Sequence, residues 1–179
     1  FTFNAARMLI AALALLPCIR LLDRLESRRA AADGQCSPPA PRGFRAMTPT
    51  QKRTLVTGGV CCGVALFIGM NLQQLGIRDT SAGKAGFVTA LYIVLVPLSG
   101  LFFRRAVRRN VWLAVGLCVV GLYLLCVTGA FTVSAGDIEL LLCAAAYTGH
   151  ILIIAYFSPK TDCVRMSCLQ FFLASALSA

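Results

Sequence analysis

Long apolar blocks alternate with polar segments along this chain, and the alternation predicts its helices. Six blocks are apolar enough to lie in a bilayer: residues 1–22, 54–77, 81–103, 111–128, 138–157 and 164–179. About 20 helical residues, rising about 1.5 Å each, cross a hydrocarbon core of about 30 Å. We therefore predict six transmembrane helices, the last of which the chain does not finish.

The segment between the first two blocks, residues 23–53, is polar and rich in turn-forming residues. It contains many charged side chains together with Pro38, Pro39 and Pro41. Clustered prolines in polar surroundings indicate irregular backbone. We predict a solvated loop for this segment.

Two features inside the apolar blocks predict details of the helices. Pro97 has no amide hydrogen and crowds the carbonyl of Ile93, so a kink is expected at this proline. Gly59 and Gly63 form a GxxxG step, and small residues at this spacing allow two membrane helices to approach closely. Glycine is frequent in membrane helices, so the alternative that this step has no special role stays open.

The composition agrees with a membrane protein and excludes a water-soluble domain. The 179 residues are 58% hydrophobic and 13% charged, whereas soluble domains are about 45–50% apolar and about 25% charged. A net charge of +10 would suggest a nucleic-acid partner in a soluble protein, but here the basic residues lie between apolar blocks. The nine cysteines form no CxxC pair, so no metal site or disulfide framework is expected.

The basic residues also predict how the helices are oriented. If the blocks alternate across the bilayer, 14 of the 17 Lys and Arg residues fall on one side, in residues 20–53, 104–109 and 158–165. Arg7, Arg78 and Lys84 make up the rest. Cytoplasmic loops are rich in Lys and Arg, so we assign the first set to the cytoplasm, and the block 54–77 then runs from inside to outside.

Both ends of the sequence suggest a fragment. The chain begins with Phe1 rather than Met and ends within the apolar stretch 169–179. We expect the complete protein to be longer.

Several stretches together resemble one transporter family. LQQLGIRDTSAGKAGFVTALYIVLVPLSG (72–100) precedes a basic turn and a Trp-led helix with GLYLL (121–125), and GD (136–137) and CAAAYTGHI (143–151) follow. This combination resembles EamA-type transporters of the drug/metabolite transporter superfamily. The opening FTFNAARMLIAALALLP is similar to the second helix of that family.

The resemblance implies an all-α, polytopic helical membrane protein with ten helices in two inverted five-helix repeats. Residues 1–133 would be the first repeat without its first helix, and residues 134–179 would begin the second. Residues 3–11 are weakly echoed by 166–174, which aligns Arg7 with Gln170. In such inverted architectures, substrates bind near the midplane between the repeats. The long segment 23–53 departs from the family pattern.

His150 is a candidate site residue because of its depth. It lies 13 residues beyond Asp137, which we expect to cap the block 138–157. That separation corresponds to about 20 Å along a helix, too deep for an imidazole to reach water easily. We hypothesise that His150 faces a central cavity and contacts substrate or relays a proton; a hydrogen bond between helices is an equal alternative.

Lys84 is the second candidate. It lies about 5 Å inside the external end of its helix, where its stem can reach the headgroups. The alternative is a cation that lines the outer vestibule and attracts an anionic or zwitterionic substrate. Gly83, Ala85 and Gly86 beside it would allow close approach of a neighbouring helix.

Other polar side chains in the apolar blocks are weaker candidates. For Asn71, Gln73 and Gln74, at the outer end of their helix, solvation at the interface is an alternative to substrate contact. Glu139 is expected to favour the adjacent helix N-terminus electrostatically. The remaining candidates for the substrate-binding set are Thr89, Tyr92, Arg7 and Gln170.

The sequence therefore predicts a transporter that moves a small metabolite or drug-like solute across the plasma membrane by alternating access. No nucleotide-binding loop is present in these residues, and no cofactor or enzymatic activity is expected. A non-transporting membrane subunit or a membrane enzyme is the alternative. The expected partners are a small-molecule substrate and the lipid bilayer, without nucleic acid, and the choice between a monomer and a homodimer stays open.

Overall fold

All regular secondary structure in the described part of the chain is helical. The computed structural model describes residues 2–32, 47–102, 109–126 and 135–179. Within these ranges the helices are α1 (Thr2–Ala32), α2 (Pro49–Gly76), α3 (Ala82–Ala90), α4 (Tyr92–Phe102), α5 (Arg109–Cys126), α6 (Ala135–Phe157) and α7 (Cys163–Ser178), with a short 3₁₀ helix at Ser158–Lys160. No strand occurs in the ranges just given.

Four of these helical stretches are long and apolar enough to cross a membrane. They are Thr2–Leu25, Pro49–Gly76, Ala82–Phe102 and Ala135–Lys160. Arg109–Gly121 and Cys163–Ser178 are shorter apolar helices. The expectation of an all-α, polytopic membrane protein is confirmed.

Helices α1 and α2 both extend into the segment that we predicted as a loop. Helix α1 continues to Ala32, ten residues beyond the predicted end at residue 22. Residues 23–32 contain mostly Arg, Leu, Glu and Ala, which have high helix propensity. The remainder of the predicted loop, up to residue 46, lies outside the described residues.

The start of α2 is set by a capping box that the hydropathy pattern does not show. Helix α2 begins at Pro49 rather than at residue 54, and proline is favoured at a first helical position. The Thr48 amide donates to Gln51 Oε1 at 3.0 Å, and the Gln51 amide donates to Thr48 Oγ1 at 3.3 Å. These reciprocal bonds satisfy two amides at the start of the helix.

The helical block 81–103 is interrupted at Leu91, between α3 and α4, and the kink expected at Pro97 stays a prediction. The Leu91 amide donates to Val88 O at 3.2 Å, and the Val94 amide donates to Leu91 O at 2.9 Å. These bonds span three residues instead of four, which tightens the backbone locally. Pro97 itself lies inside α4 and is buried. The adjustment therefore occurs upstream of the proline ring.

The chain divides into two compact units, which are described separately. One unit comprises Phe1–Val64 and Ile153–Ala179, and the other comprises Ala65–Leu152. Helices α2 and α6 each contribute residues to both units.

In the first unit, α1 and α7 pack antiparallel along a seam of small residues. Ser175 Oγ donates to Ala5 O at 2.9 Å, and Cys168 Sγ donates to Ala12 O at 3.7 Å. The two contacts are seven residues apart on both helices, so they lie on one face of each. Such small side chains allow the helix backbones to approach closely.

The GxxxG step packs against α7 in the same unit. A Cβ atom added at Gly59 would lie 2.5 Å from Leu169 Cδ2, and one at Gly63 would lie 2.9 Å from Leu173 Cδ2. No side chain fits at these distances without displacing its neighbour. The predicted close helix approach at Gly59 and Gly63 is confirmed.

In the second unit, α2 and α6 pack antiparallel around two further glycines. A Cβ atom at Gly69 would lie 3.1 Å from Tyr147 Cε1, and one at Gly76 would lie 2.6 Å from Leu140 Cγ. Leu140 is fully buried and packs with Ala85 and Val88 of α3. Both glycines are needed because each faces a large side chain.

Candidate functional site

Tyr147 of α6 and Gln73 of α2 form a hydrogen bond between two helices. The Tyr147 hydroxyl donates to Gln73 Oε1 at 3.2 Å. Gly69, one turn before Gln73, leaves the space in which the tyrosine ring lies. Gly69 therefore determines where the Tyr147 ring lies, and this position brings the Tyr147 hydroxyl within hydrogen-bonding distance of Gln73.

Tyr92 adds a third helix to this arrangement. Its ring centroid lies 6.2 Å from that of Tyr147, with an angle of 61° between the ring planes. Aromatic rings favour such edge-to-face contacts. Tyr92 is the first residue of α4, directly after the interruption at Leu91, so the local break in the helix precedes the tyrosine that reaches Tyr147. We call Gln73, Tyr92 and Tyr147 the polar cluster.

Two buried oxygens, one on α3 and one on α2, lack a hydrogen-bond partner within the described residues. One is Oγ1 of Thr89, a residue that is 7% exposed and lies one turn before Tyr92. The other is Oδ1 of Asn71, whose Nδ2 donates to Phe67 O at 2.8 Å. Buried polar atoms are normally satisfied by protein or water, so these two oxygens are suited to water or a polar solute.

Lys84 and Asp137 form an ion pair between α3 and α6. Lys84 Nζ lies 2.6 Å from Asp137 Oδ2, and the side chains are 18% and 9% exposed. Thr80 Oγ1 donates to the other Asp137 oxygen at 3.5 Å. Ser81 caps α3 by accepting from the Lys84 amide at 3.4 Å. The cation that we expected in an outer vestibule is therefore neutralised by a carboxylate.

Asp137 differs from its predicted role as the cap of the helix. As described, α6 begins at Ala135, so Asp137 lies in the first turn. Gly136 is close to Asp79 Cβ and Gly76 O, which brings the start of α6 against the end of α2. Asp137 can thus pair with Lys84 of the next helix. Glu139, in the same turn, has one buried oxygen, Oε2, without a partner in the described ranges.

His150 is half-buried and lies three residues beyond Tyr147 on α6. Residues at this spacing share a helix face. The neighbouring Ile151 lines a cavity that also includes Tyr92. Both predicted roles of His150, contact with the solute and a hydrogen bond between helices, stay predictions.

Arg7 and Gln170 belong to the other unit, and their surroundings differ. Arg7 is exposed, and its guanidinium carbon lies 5.9 Å from the centroid of the Phe3 ring, which is within the range of a cation–π contact. Gln170 is 4% exposed on α7. The two residues align in sequence, but only Gln170 is buried.

The cavity with Tyr92 in its wall lies within the second unit and is open. Its volume is about 590 Å³. It is bounded by α4, α5 and the middle of α6, through Tyr92, Ile93, Val96, Pro97, Asn110, Val111, Ala114, Val115, Cys118 and Ile151. The wall is predominantly apolar. Tyr92 contributes to both this cavity and the polar cluster.

A second ion pair lies in the first unit, at the end that we assign to the cytoplasm. Arg165 Nη2 donates to both oxygens of Asp23, at 2.8 and 3.0 Å. Asp162 caps α7 by accepting from the Val164 amide at 2.9 Å, and it also lies 3.3 Å from Arg165 Nε. This network joins α1 to the start of α7.

Tyr147 and the pairing of charges in the two ion pairs are not among the features predicted from the sequence. Tyr147 follows Leu140 by seven residues, as Gly76 follows Gly69. This equal spacing of two large residues and two glycines is the sequence signal that could have indicated the contact of Tyr147. Lys84 and Asp137 both lie in first turns that we had assigned to the external side. Their opposite charges could have indicated the pair.

Comparison with known proteins identifies the family. The model of the EamA-like transporter family matches residues 1–127. A protein of Archaeoglobus fulgidus named "Uncharacterized transporter" is 33% identical over 122 residues, which cover 68% of this chain and 39% of that protein. The chain thus matches well under half the length of this relative. No solved structure matches the chain significantly. Because the family match covers more than half of the residues, the chain belongs to the EamA-like transporter family of integral membrane proteins.

Proposed function

We propose that the protein is a secondary transporter that moves a small metabolite or drug-like solute across the plasma membrane by alternating access. The polar cluster contacts the solute. The observation that carries this proposal is the hydrogen bond between Tyr147 and Gln73, which joins polar groups of two membrane helices beside the ring of Tyr92. Membership of the EamA-like transporter family supports transport as the activity.

The chemistry of the cluster suits a solute with hydrogen-bonding groups. Polar side chains in membrane helices are unfavourable unless they pair with each other or serve a function. Tyr147 directs its hydroxyl proton to Gln73 Oε1, and a side-chain amide also carries two N–H donors. The Gln73 amide nitrogen can therefore donate to a solute in addition to the bond that its oxygen accepts.

The ion pair restricts which net charge we expect the solute to carry. An anion would have to compete with Asp137 for Lys84 and would leave the buried carboxylate unpaired, which is costly. A zwitterion can replace both partners, with its carboxylate on Lys84 and its ammonium on Asp137. Of the two expected classes, the pair therefore favours a zwitterion over an anion. His150, and Arg7 and Gln170 in the other unit, are proposed as further contacts.

Movement requires helices that repack without losing their backbone hydrogen bonds. Helix α2 has glycines at both of its described contacts, Gly59 and Gly63 with α7 and Gly69 and Gly76 with α6. Smooth glycine surfaces allow two helices to slide past each other. We infer that the tightened turn at Leu91 can serve as a hinge between α3 and α4. Both features are consistent with alternating access.

Flux through the full-length protein in proteoliposomes tests the proposal. The labelled probes are alanine as a zwitterion, succinate as a dianion, glucose as a neutral solute and ethidium as a drug-like cation. At least one probe should enter faster than it enters protein-free liposomes, and Gln73→Ala should lower that rate about tenfold. Gln74→Ala is the matched control because Gln74 is adjacent and exposed. Wild-type rates equal to protein-free rates for all probes would contradict transport of these classes.

A further inference from the structure

The cavity in the second unit has a wall that is unsuitable for a strongly hydrated solute. Apart from Tyr92 and Asn110, its lining residues are Ile, Val, Pro, Ala and Cys. A polar group that enters such surroundings loses hydrogen bonds to water without replacement, which costs several kcal/mol. An apolar group gains free energy by the same transfer.

The cavity and the polar cluster share one side chain, that of Tyr92. Tyr92 lines the cavity, and its ring contacts Tyr147, whose hydroxyl is bonded to Gln73. A solute beside Tyr92 can therefore present a polar group to the cluster while its apolar part enters the cavity. We propose that this cavity binds the apolar part of the transported solute, so that the substrate is a polar or zwitterionic head joined to one compact apolar group.

The dimensions agree with a group of this kind. Small-molecule sites usually measure about 300–1,000 Å³, and the cavity measures about 590 Å³. A dry apolar cavity of about 150 Å³ already accommodates a benzene ring. A ring or a branched alkyl group fits here with space for part of its head.

The backbone of α4 gives the wall one further polar feature. Pro97 has no amide hydrogen, so the carbonyl of Ile93, four residues earlier, has no helical donor at that position. Ile93 and Pro97 both line the cavity, and Asn110 contributes an amide side chain. A fully apolar lipid chain would leave these groups and the polar cluster unused, whereas an amphipathic solute would not. Because Tyr92 belongs to both the cavity wall and the polar cluster, we favour the solute as the occupant.

The test fills the cavity with a bulky side chain by substitution. It then compares the transport and binding of solutes that share one head group. This inference rests on the proposed function, so flux and binding are measured separately on the full-length protein. Glycine, valine and phenylalanine keep one zwitterionic head while the apolar side chain grows. Ala114→Trp and Cys118→Trp place an indole in the wall from two positions that are exposed in the structure. Leu117→Trp is the matched control because Leu117 is exposed on the same helix and does not line the cavity.

The expected result is selective loss of the apolar substrates. Wild type should transport valine and phenylalanine at least tenfold faster than glycine, and each should raise the melting temperature of the purified protein more than glycine does. Ala114→Trp and Cys118→Trp should lower phenylalanine uptake at least tenfold and remove its stabilising effect. Leu117→Trp should behave as wild type.

Flux and binding distinguish the two proposals. Stabilisation by phenylalanine that is lost in Ala114→Trp, without flux of any probe, would support the cavity site and contradict transport. Flux of the wider panel without preference for phenylalanine over glycine would support transport and overturn the cavity site. Release of a co-purified phospholipid by Ala114→Trp, with phenylalanine binding unchanged, would identify a lipid site and also overturn the inference.

Discussion

Lys84 Nζ and Asp137 Oδ2 lie 2.6 Å apart, and both side chains are largely buried. The pair joins the first turn of α3 to the first turn of α6. We propose that these turns belong to successive repeats and lie on the external side of the membrane. Alternating access would then have to break this ion pair together with the packing of Leu140 against Ala85 and Val88.

The ion pair predicts an asymmetric response to substitution. Lys84→Ala leaves the Asp137 carboxylate buried without its partner, which should lower the free energy of unfolding by about 2–3 kcal/mol. The double variant Lys84→Ala/Asp137→Ala should be more stable than Lys84→Ala because no charge is left unpaired. Thermal unfolding in detergent measures both. Equal stability of wild type and Lys84→Ala would show that the pair has no structural role.

The position of Tyr147 should depend on Gly69. A Cβ atom there would lie 3.1 Å from the tyrosine ring, so Gly69→Val should displace Tyr147 from Gln73 and lower flux about tenfold. Overpacking should also cost about 1–3 kcal/mol of stability. Gly86→Ala is the control, because a Cβ atom at Gly86 has no neighbour within 4 Å in the described residues. If Gly69→Val transports the solute as fast as wild type, the position of Tyr147 is not required for transport.

The first unit provides a test of close helix packing. Gly59→Ala places a methyl group 2.5 Å from Leu169 Cδ2 and should destabilise the protein by about 2 kcal/mol. Leu169→Ala should cost about 2 kcal/mol or more by itself because it leaves a cavity. If the glycine is needed for space, the double variant should be more stable than the sum of the two losses predicts. If the two losses of stability simply add in the double variant, direct contact between residue 59 and Leu169 is contradicted.

The second ion pair should contribute less than the first. Arg165 is 13% exposed but Asp23 is 36% exposed, so water and salt weaken their attraction, and Arg165→Ala should cost about 1 kcal/mol. Arg165→Lys should restore little because a single ammonium cannot contact Asp23 and Asp162 together, as Nη2 and Nε of the guanidinium do. The difference from wild type in melting temperature should shrink at high salt. Complete rescue by lysine would indicate that charge alone matters.

The sequence predicted the positions of the apolar helices better than their ends. Of the six predicted spans, four are long and apolar enough to cross a membrane within the described residues, and two are shorter. Hydropathy identifies spans because a bilayer excludes polar residues from long stretches. It does not report the capping box of Thr48 and Gln51, which begins α2 five residues earlier than expected. It also does not report the helix propensity of residues 23–32, which extends α1.

The candidate site was only partly predictable because its geometry depends on contacts between helices. Lys84, Gln73 and Tyr92 stand out as polar residues in apolar blocks, and their sequence positions suffice to select them. The contacts of these three side chains depend on how the helices pack, as the contact of Gly69 with Tyr147 shows. The sequence left open whether Lys84 reaches the headgroups or lines an outer vestibule, and it did not indicate that Lys84 pairs with Asp137.

Counterflow in proteoliposomes tests the central claim most directly, because only a carrier that alternates its access accelerates uptake when unlabelled solute is loaded inside. The full-length protein is compared with Tyr147→Phe, which keeps the ring but removes the hydroxyl that donates to Gln73. We predict accelerated uptake by wild type and a loss of about tenfold in Tyr147→Phe, with nearly unchanged melting temperature. Absence of acceleration in wild type, or equal acceleration in both proteins, would contradict the proposed role of the polar cluster.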